Sequence, residues 1–162
     1  LELTVSLLPG SLGDPQKSVE DALRFFLLKF SDGVGGILLA FTHVKIDGKG
    51  MILNELAHIH FDVSCDALVF CPTAGCQLTG VVTQSFHSHL SLVVHHFFNA
   101  NVSAEHMRVA GYEFDAEQEL WFSQETSLSL SKGDQVQFLV DKVLESGGII
   151  SLNGSVPSLI LQ

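Results

Sequence analysis

Residues 70–85 read Phe-Cys-Pro-Thr-Ala-Gly-Cys-Gln-Leu-Thr-Gly-Val-Val-Thr-Gln-Ser, and this stretch divides the chain. Pro72 to Gly75 is a short junction of turn-forming residues. Upstream lies a segment with helical periodicity. Downstream that periodicity disappears and strand-like alternation takes over. The reading is an α+β chain in two parts. Residues 1–73 form a first domain with a helix on a small antiparallel sheet, and residues 74–162 form a five-stranded β-barrel.

Working outward to the N-terminus, residues 58–70 read as a long strand, and residues 36–46 as another whose apolar start at Ile37, Leu38 and Leu39 predicts burial on both faces. Asp47-Gly48 is a hairpin signal, and residues 51–56 are ambiguous. Residues 18–30 read as a helix capped by Ser18. Val19, Ala22, Leu23, Phe26, Leu27 and Phe30 make its apolar stripe, which Phe25 and Leu28 widen. Leu1 to Leu8 alternates and reads as the first strand. The expected order is β-α-β-β-β, with Phe26 packed on the sheet.

Toward the C-terminus, residues 77–85, 90–96, 112–122, 134–144 and 148–153 are the five strand candidates, enough for a small closed barrel. Residues 99–108 are expected to form a turn or short helix between them.

Composition limits the functions available. The 162 residues carry a formal net charge of −10, with eight lysines and arginines in all. Nucleic-acid binding draws most of its free energy from neutralising phosphates with such cations, so any RNA contact is expected to be weak. Only 16% of residues are charged, below the roughly 25% of ordinary domains. That deficit predicts apolar surface covered by a partner, or else charged tails outside this sequence, with the partner favoured because an uncovered apolar patch is a liability. No apolar run reaches the ~18 residues of a membrane span. The opening residue is leucine, and the chain is expected to be part of a longer protein.

Cys65, Cys71 and Cys76 are odd in number and lack framework spacing, as in a reducing compartment. His58 and His60, two apart on a predicted strand, share a face. No C-x2-C or H-x3-H motif supplies the rest of a four-ligand zinc site, so neither metal nor cofactor is expected. No nucleophile elbow, phosphate-binding loop or dinucleotide fingerprint occurs, which argues against an enzyme. The aromatics Phe25, Phe97, Phe98 and Trp121, with Leu28, exceed what the two cores require. Tyr112 and Trp121 flank the acidic stretch Glu113, Asp115, Glu117 and Glu119, a pattern suited to a solvated strand or to a basic partner. The candidate interface residues are therefore Phe25, Leu28, His58, His60, Phe97, Phe98, Tyr112 and Trp121.

Several runs resemble a known family. They are His58-Ile-His-Phe-Asp-Val63, Ala67-Leu-Val-Phe-Cys-Pro72, Gly80-Val-Val82, Ser88-His89 and Val94-His-His-Phe-Phe-Asn-Ala-Asn-Val102. Together they look like the stalk subunit of RNA polymerase I, the paralogue of the seventh subunit of RNA polymerase II and of the archaeal stalk subunit. The polymerase I branch is suggested by Leu92 to His96, where the relatives usually carry a glycine-rich turn. The resemblance implies a truncated RNP-like tip domain that docks on the core subunits, followed by an OB-fold barrel. It also implies a small second stalk subunit and a polymerase I initiation factor as partners, with weak contact to nascent RNA, no catalytic residues, and a nuclear and nucleolar location. The runner-up is a free-standing OB-fold module binding RNA or single strands, or the stalk subunit of another RNA polymerase. Such modules pair stacking aromatics with a basic groove, which this chain lacks. Elemental analysis of chelator-washed protein is expected to find no stoichiometric zinc, because the Cys and His spacings do not assemble four ligands.

Overall fold

The computed structural model describes residues 1–53 and 57–156. It divides into two units, Leu1–Cys71 and Pro72–Gln162.

The first unit contains β1 (Glu2–Leu7), one turn of 3₁₀ helix (Pro9–Ser11), α1 (Pro15–Arg24), β2 (Phe30–Ser31), β3 (Gly36–Ile52) and β4 (Ile59–Phe70). The strands form one antiparallel sheet in the order β1-β4-β3-β2. Val19 and Leu23 of α1 are fully buried against Val5, Leu7, Phe61 and Val63.

The helix differs from its expectation at both ends. Asp14, not Ser18, caps it. An Asp14 carboxylate oxygen accepts from the Lys17 amide at 3.1 Å, and Pro15 at the first position loses nothing by lacking an N–H. Ser18 instead donates its hydroxyl to the Ser11 carbonyl at 2.7 Å. The helix stops at Arg24 because the chain turns back into the sheet. Leu28 takes a left-handed φ of 62°, and its amide donates to the Leu38 carbonyl at 2.8 Å. Phe30 then belongs to β2 and pairs with Ile37. The second half of the predicted stripe therefore leaves the core, and Phe26 is 49% exposed.

Asp47-Gly48 makes no hairpin. The strand β3 continues through it for 17 residues, and the register against β4 shifts between Asp47 and Met51. Gly48 absorbs the irregularity with a φ of 83°. Residues 54–56, the end of the ambiguous segment, lie outside the described residues.

The second unit contains β5 (Gln77–Ser85), β6 (His89–Val94), β7 (Phe98–Ser103), α2 (Ala104–Val109), β8 (Glu113–Asp115), β9 (Leu120–Ser123), β10 (Leu128–Leu130), β11 (Gln135–Ser146) and β12 (Ile149–Ser155). The barrel closes in the order β11-β12-β7-β6-β5. Its pairs are antiparallel except β12 with β7, which is parallel. The third barrel strand is Phe98–Ser103, not residues 112–122. Phe98, Ala100 and Val102 point inward and are buried, so the segment expected to be a turn carries the period of a strand. Residues 113–130 instead form a separate antiparallel meander, β8-β9-β10.

One ring organises the barrel interior. Phe138 of β11 is fully buried. A Cβ at Gly154 of β12 would lie 2.5 Å from that ring, and one at Gly80 of β5 would lie 3.3 Å from it. Gly154 must be glycine for the ring to fit, while a Cβ at Gly80 would crowd Leu92 at 3.0 Å as well as the ring.

In urea denaturation, Leu23→Ala is expected to cost about 2–5 kcal/mol, as for a fully buried leucine. Phe26→Ala is expected to cost less than half as much. Equal losses would show that Phe26 is part of the core after all.

Candidate interaction surfaces

The eight candidate residues fall into two groups. Phe98, Tyr112 and Trp121 are 4%, 2% and 0% exposed, and their proposed interface role is corrected: they are core. Phe98 lies inside the barrel on β7. Trp121 on β9 packs its ring on Phe114, with centroids 5.4 Å apart, and its indole N–H donates to the Phe86 carbonyl at 3.2 Å. Tyr112 follows α2, its amide bonded to the Met107 carbonyl at 2.9 Å. The Trp121 side chain ties the meander to the β5–β6 turn and the Tyr112 amide ties it to α2, and all three rings are buried, so they are not surplus to the core. Burial also disfavours the phenolate, which pushes the Tyr112 pKa above its ordinary value.

The other five reach the surface to different degrees. Phe25 is 76% exposed just past the end of α1, with the Lys29 ammonium 5.4 Å from its ring centroid. Leu28 is half-buried. His58 lies before β4 begins and is exposed, whereas His60 lies on β4 and is half-buried. The two do not form the shared-face pair expected from their spacing. His60 instead bonds Ser6 on β1, Nδ1 to Oγ at 2.8 Å. Among the described residues, no three His, Cys, Asp or Glu side chains are grouped so as to hold a metal. The cysteines are free, and burial raises the pKa of Cys65.

Phe97 is 57% exposed on a turn in which His95 and His96 both take positive φ, 51° and 62°. The Phe97 amide closes that turn on the Val94 carbonyl at 3.0 Å. Ile149, at the start of β12, is 71% exposed. Each of these two turns thus exposes one large apolar side chain. Sequence reasoning missed Ile149, although an isoleucine directly after Gly147-Gly148 was the available signal. It also assigned Phe26 to the core, yet Phe25 and Phe26 are both substantially exposed. Met51, Ile52 and Leu53, at the end of β3, are a further exposed apolar run.

The acidic stretch is part strand and part turn: Glu113 and Asp115 lie on β8, and Glu117 and Glu119 lie in the turn that follows. Asp115 accepts from the Glu117 and Gln118 amides at 2.8 and 3.2 Å and shapes the β8–β9 connection. Glu117 and Glu119 project from it, exposed.

Comparisons with known proteins point in one direction. Residues 72–127 match the family described as the RPA43 OB domain in RNA Pol I. The chain is 28% identical over 160 residues to the DNA-directed RNA polymerase I subunit RPA43 of Homo sapiens, covering 98% of this chain and 44% of that protein. It is 32% identical over 99 residues to the Danio rerio RPA43, covering 60% and 25%. With the Schizosaccharomyces pombe subunit it is 22% identical over 161 residues, covering 96% and 92%. It spans about half the length, or less, of the human and mouse relatives. The chain is thus similar to this polymerase I subunit along most of its length, and residues 72–127 of its second unit match the OB-domain family.

Tyr112 is the only tyrosine, so tyrosinate absorbance reports on it alone. Its raised pKa stabilises the fold fully below the unfolded value of about 10. That contribution is lost as pH rises through the higher folded value. Stability is expected to fall in this alkaline range, with a shallower fall in Tyr112→Phe. A tyrosine titrating at its ordinary value would contradict the burial.

Proposed function

We propose that this chain is the stalk portion of a non-catalytic subunit of RNA polymerase I. In this reading the first unit is a truncated RNP-like tip that docks on the core enzyme. The barrel, with a small second stalk subunit, forms a platform for the initiation factor that brings the polymerase to ribosomal RNA genes, in the nucleolus. The observation that carries the reading is the match of residues 72–127 to the RPA43 OB domain, joined to similarity with RPA43 along 98% of the chain.

The surfaces support it. The first unit exposes Phe25 and Phe26, and the barrel exposes Phe97 and Ile149. Large apolar groups left in water mark protein interfaces. The charge supports it too. A formal −10 opposes phosphate binding and favours contacts with protein over contacts with RNA.

Tagged protein purified from nuclei is expected to bring down the large polymerase I subunits, and the thermal midpoint of the chain is expected to rise when the second stalk subunit is co-expressed. Recovery of RNA alone, with a midpoint that no polymerase I subunit changes, would favour the free-standing RNA-binding module.

A further inference from the structure

The strand β1 is an open edge of its sheet. It pairs with β4 in an unbroken six-residue register from Glu2 with Ser64 to Leu7 with Ile59. It contains no proline and no lysine, and no bulge twists it away, so it lacks the usual devices that blunt an edge.

The hydrogen-bond phase can be read directly. Leu1 and Cys65 exchange both of their backbone bonds, at 2.8 and 2.9 Å. In an antiparallel pair such residues alternate with pairs that exchange none. Leu3 and Val5 therefore bond β4, and the amides and carbonyls of Glu2, Thr4 and Ser6 point outward from the sheet.

Two cavities flank this edge. One, of about 330 Å³, touches the four consecutive residues Leu1 to Thr4. Successive strand residues face opposite sides, so a cavity that touches four in a row runs along the backbone edge. Its apolar walls come from Leu1, Leu3, Leu23, Phe26, Val34 and Leu38. The cavity exists because α1 stops at Arg24 and leaves this part of the sheet uncovered. The other cavity, of about 450 Å³, is lined by Glu2, Thr4, Asp47 and Asp62. There Asp47 and Asp62 stand directly opposite each other across β3 and β4, a like-charge pairing that costs stability. Glu2, Asp47 and Asp62 have no lysine or arginine ion-pair partner among the described residues. Lys45 pairs with Ser64, the neighbour of Glu2 across β4.

We propose that β1 is a docking edge for an extended segment of a partner protein whose residues alternate apolar and basic. Main-chain bonds to Glu2, Thr4 and Ser6 extend the sheet, as in strand addition generally. The apolar side chains enter the groove beside Leu3 and Phe26. The basic ones lie over Glu2, Asp47 and Asp62, whose charges select them. A second copy of β1 is disfavoured as occupant, because Glu2 to Leu7 carry no basic side chain to lie over Glu2, Asp47 and Asp62. The proposal stands on the edge and its cavities, independently of the polymerase reading.

The test is amide hydrogen exchange on the chain, with a ten-residue peptide alternating valine and lysine as probe and one alternating valine and glutamate as control. The lysine peptide is expected to slow exchange at Glu2, Thr4 and Ser6 about tenfold or more while Leu3 and Val5 stay unchanged. Thr4→Pro removes an outward amide, which an edge strand tolerates, and is expected to abolish the effect. If that variant does not fold, the double variant Glu2→Lys, Asp62→Lys serves instead, and it is expected to reverse the preference between peptides. No slowing with the lysine peptide, or equal slowing with both, would overturn the proposal. So would a chain that sediments as a dimer with these amides already protected.

Discussion

The barrel depends on one steric condition: the Phe138 ring must lie on a neighbouring strand that carries no side chain beneath it. Gly154 sits where β12 pairs with both Val140 of β11 and Val102 of β7. A Cβ there would meet the ring and also the Leu139 carbonyl, each at 2.5 Å. On β5, a Cβ at Gly80 would crowd Leu92 as well as the ring. With the ring seated, β11 holds both neighbours and the sheet closes, leaving no open edge in the barrel. The turns before β7 and β12 then lie at the barrel's surface, where Phe97 and Ile149 are exposed.

The first unit handles its edges differently. Its sheet stays open, with β1 at one side and the two-residue β2 at the other. The helix that covers one face is short because Leu28 turns left-handed and bonds Leu38. That single turn accounts for three features: the exposure of Phe25 and Phe26, the pairing of Phe30 in β2, and the groove beside β1. Net acidity and scattered apolar surface fit a chain whose partners are proteins, and the RPA43 similarity supplies a setting in which such contacts belong.

Much of this was legible in residue order. Alternation in 77–85 and in Val136, Phe138 and Val140 located barrel strands, and the long run before Phe70 located β4. The third barrel strand was not legible, because Asn99, Asn101 and Ser103 are turn-forming types. Their alternation with Phe98, Ala100 and Val102 was nonetheless strand-like. The helix end was missed because apolar spacing continued through Phe30. Periodicity reports which side chains are apolar, not where a backbone hydrogen bond to Leu38 interrupts the helix. Interface residues were the hardest part. Phe98, Tyr112 and Trp121 looked surplus only while the meander β8-β10 was counted as a barrel strand. Once it is a separate layer with its own contacts to α2 and Phe86, its aromatics are needed inside.

The account's central claim is that the exposed apolar groups of both units are contact surfaces within RNA polymerase I. Side-chain carbene footprinting of the isolated chain, compared with the same chain inside the intact polymerase, tests it most directly. The account predicts that labelling of Phe25 and Phe26 and of Phe97 and Ile149 drops in the assembly, while Trp121 stays unlabelled in both. Unchanged labelling of all four exposed residues in the assembled enzyme would contradict it.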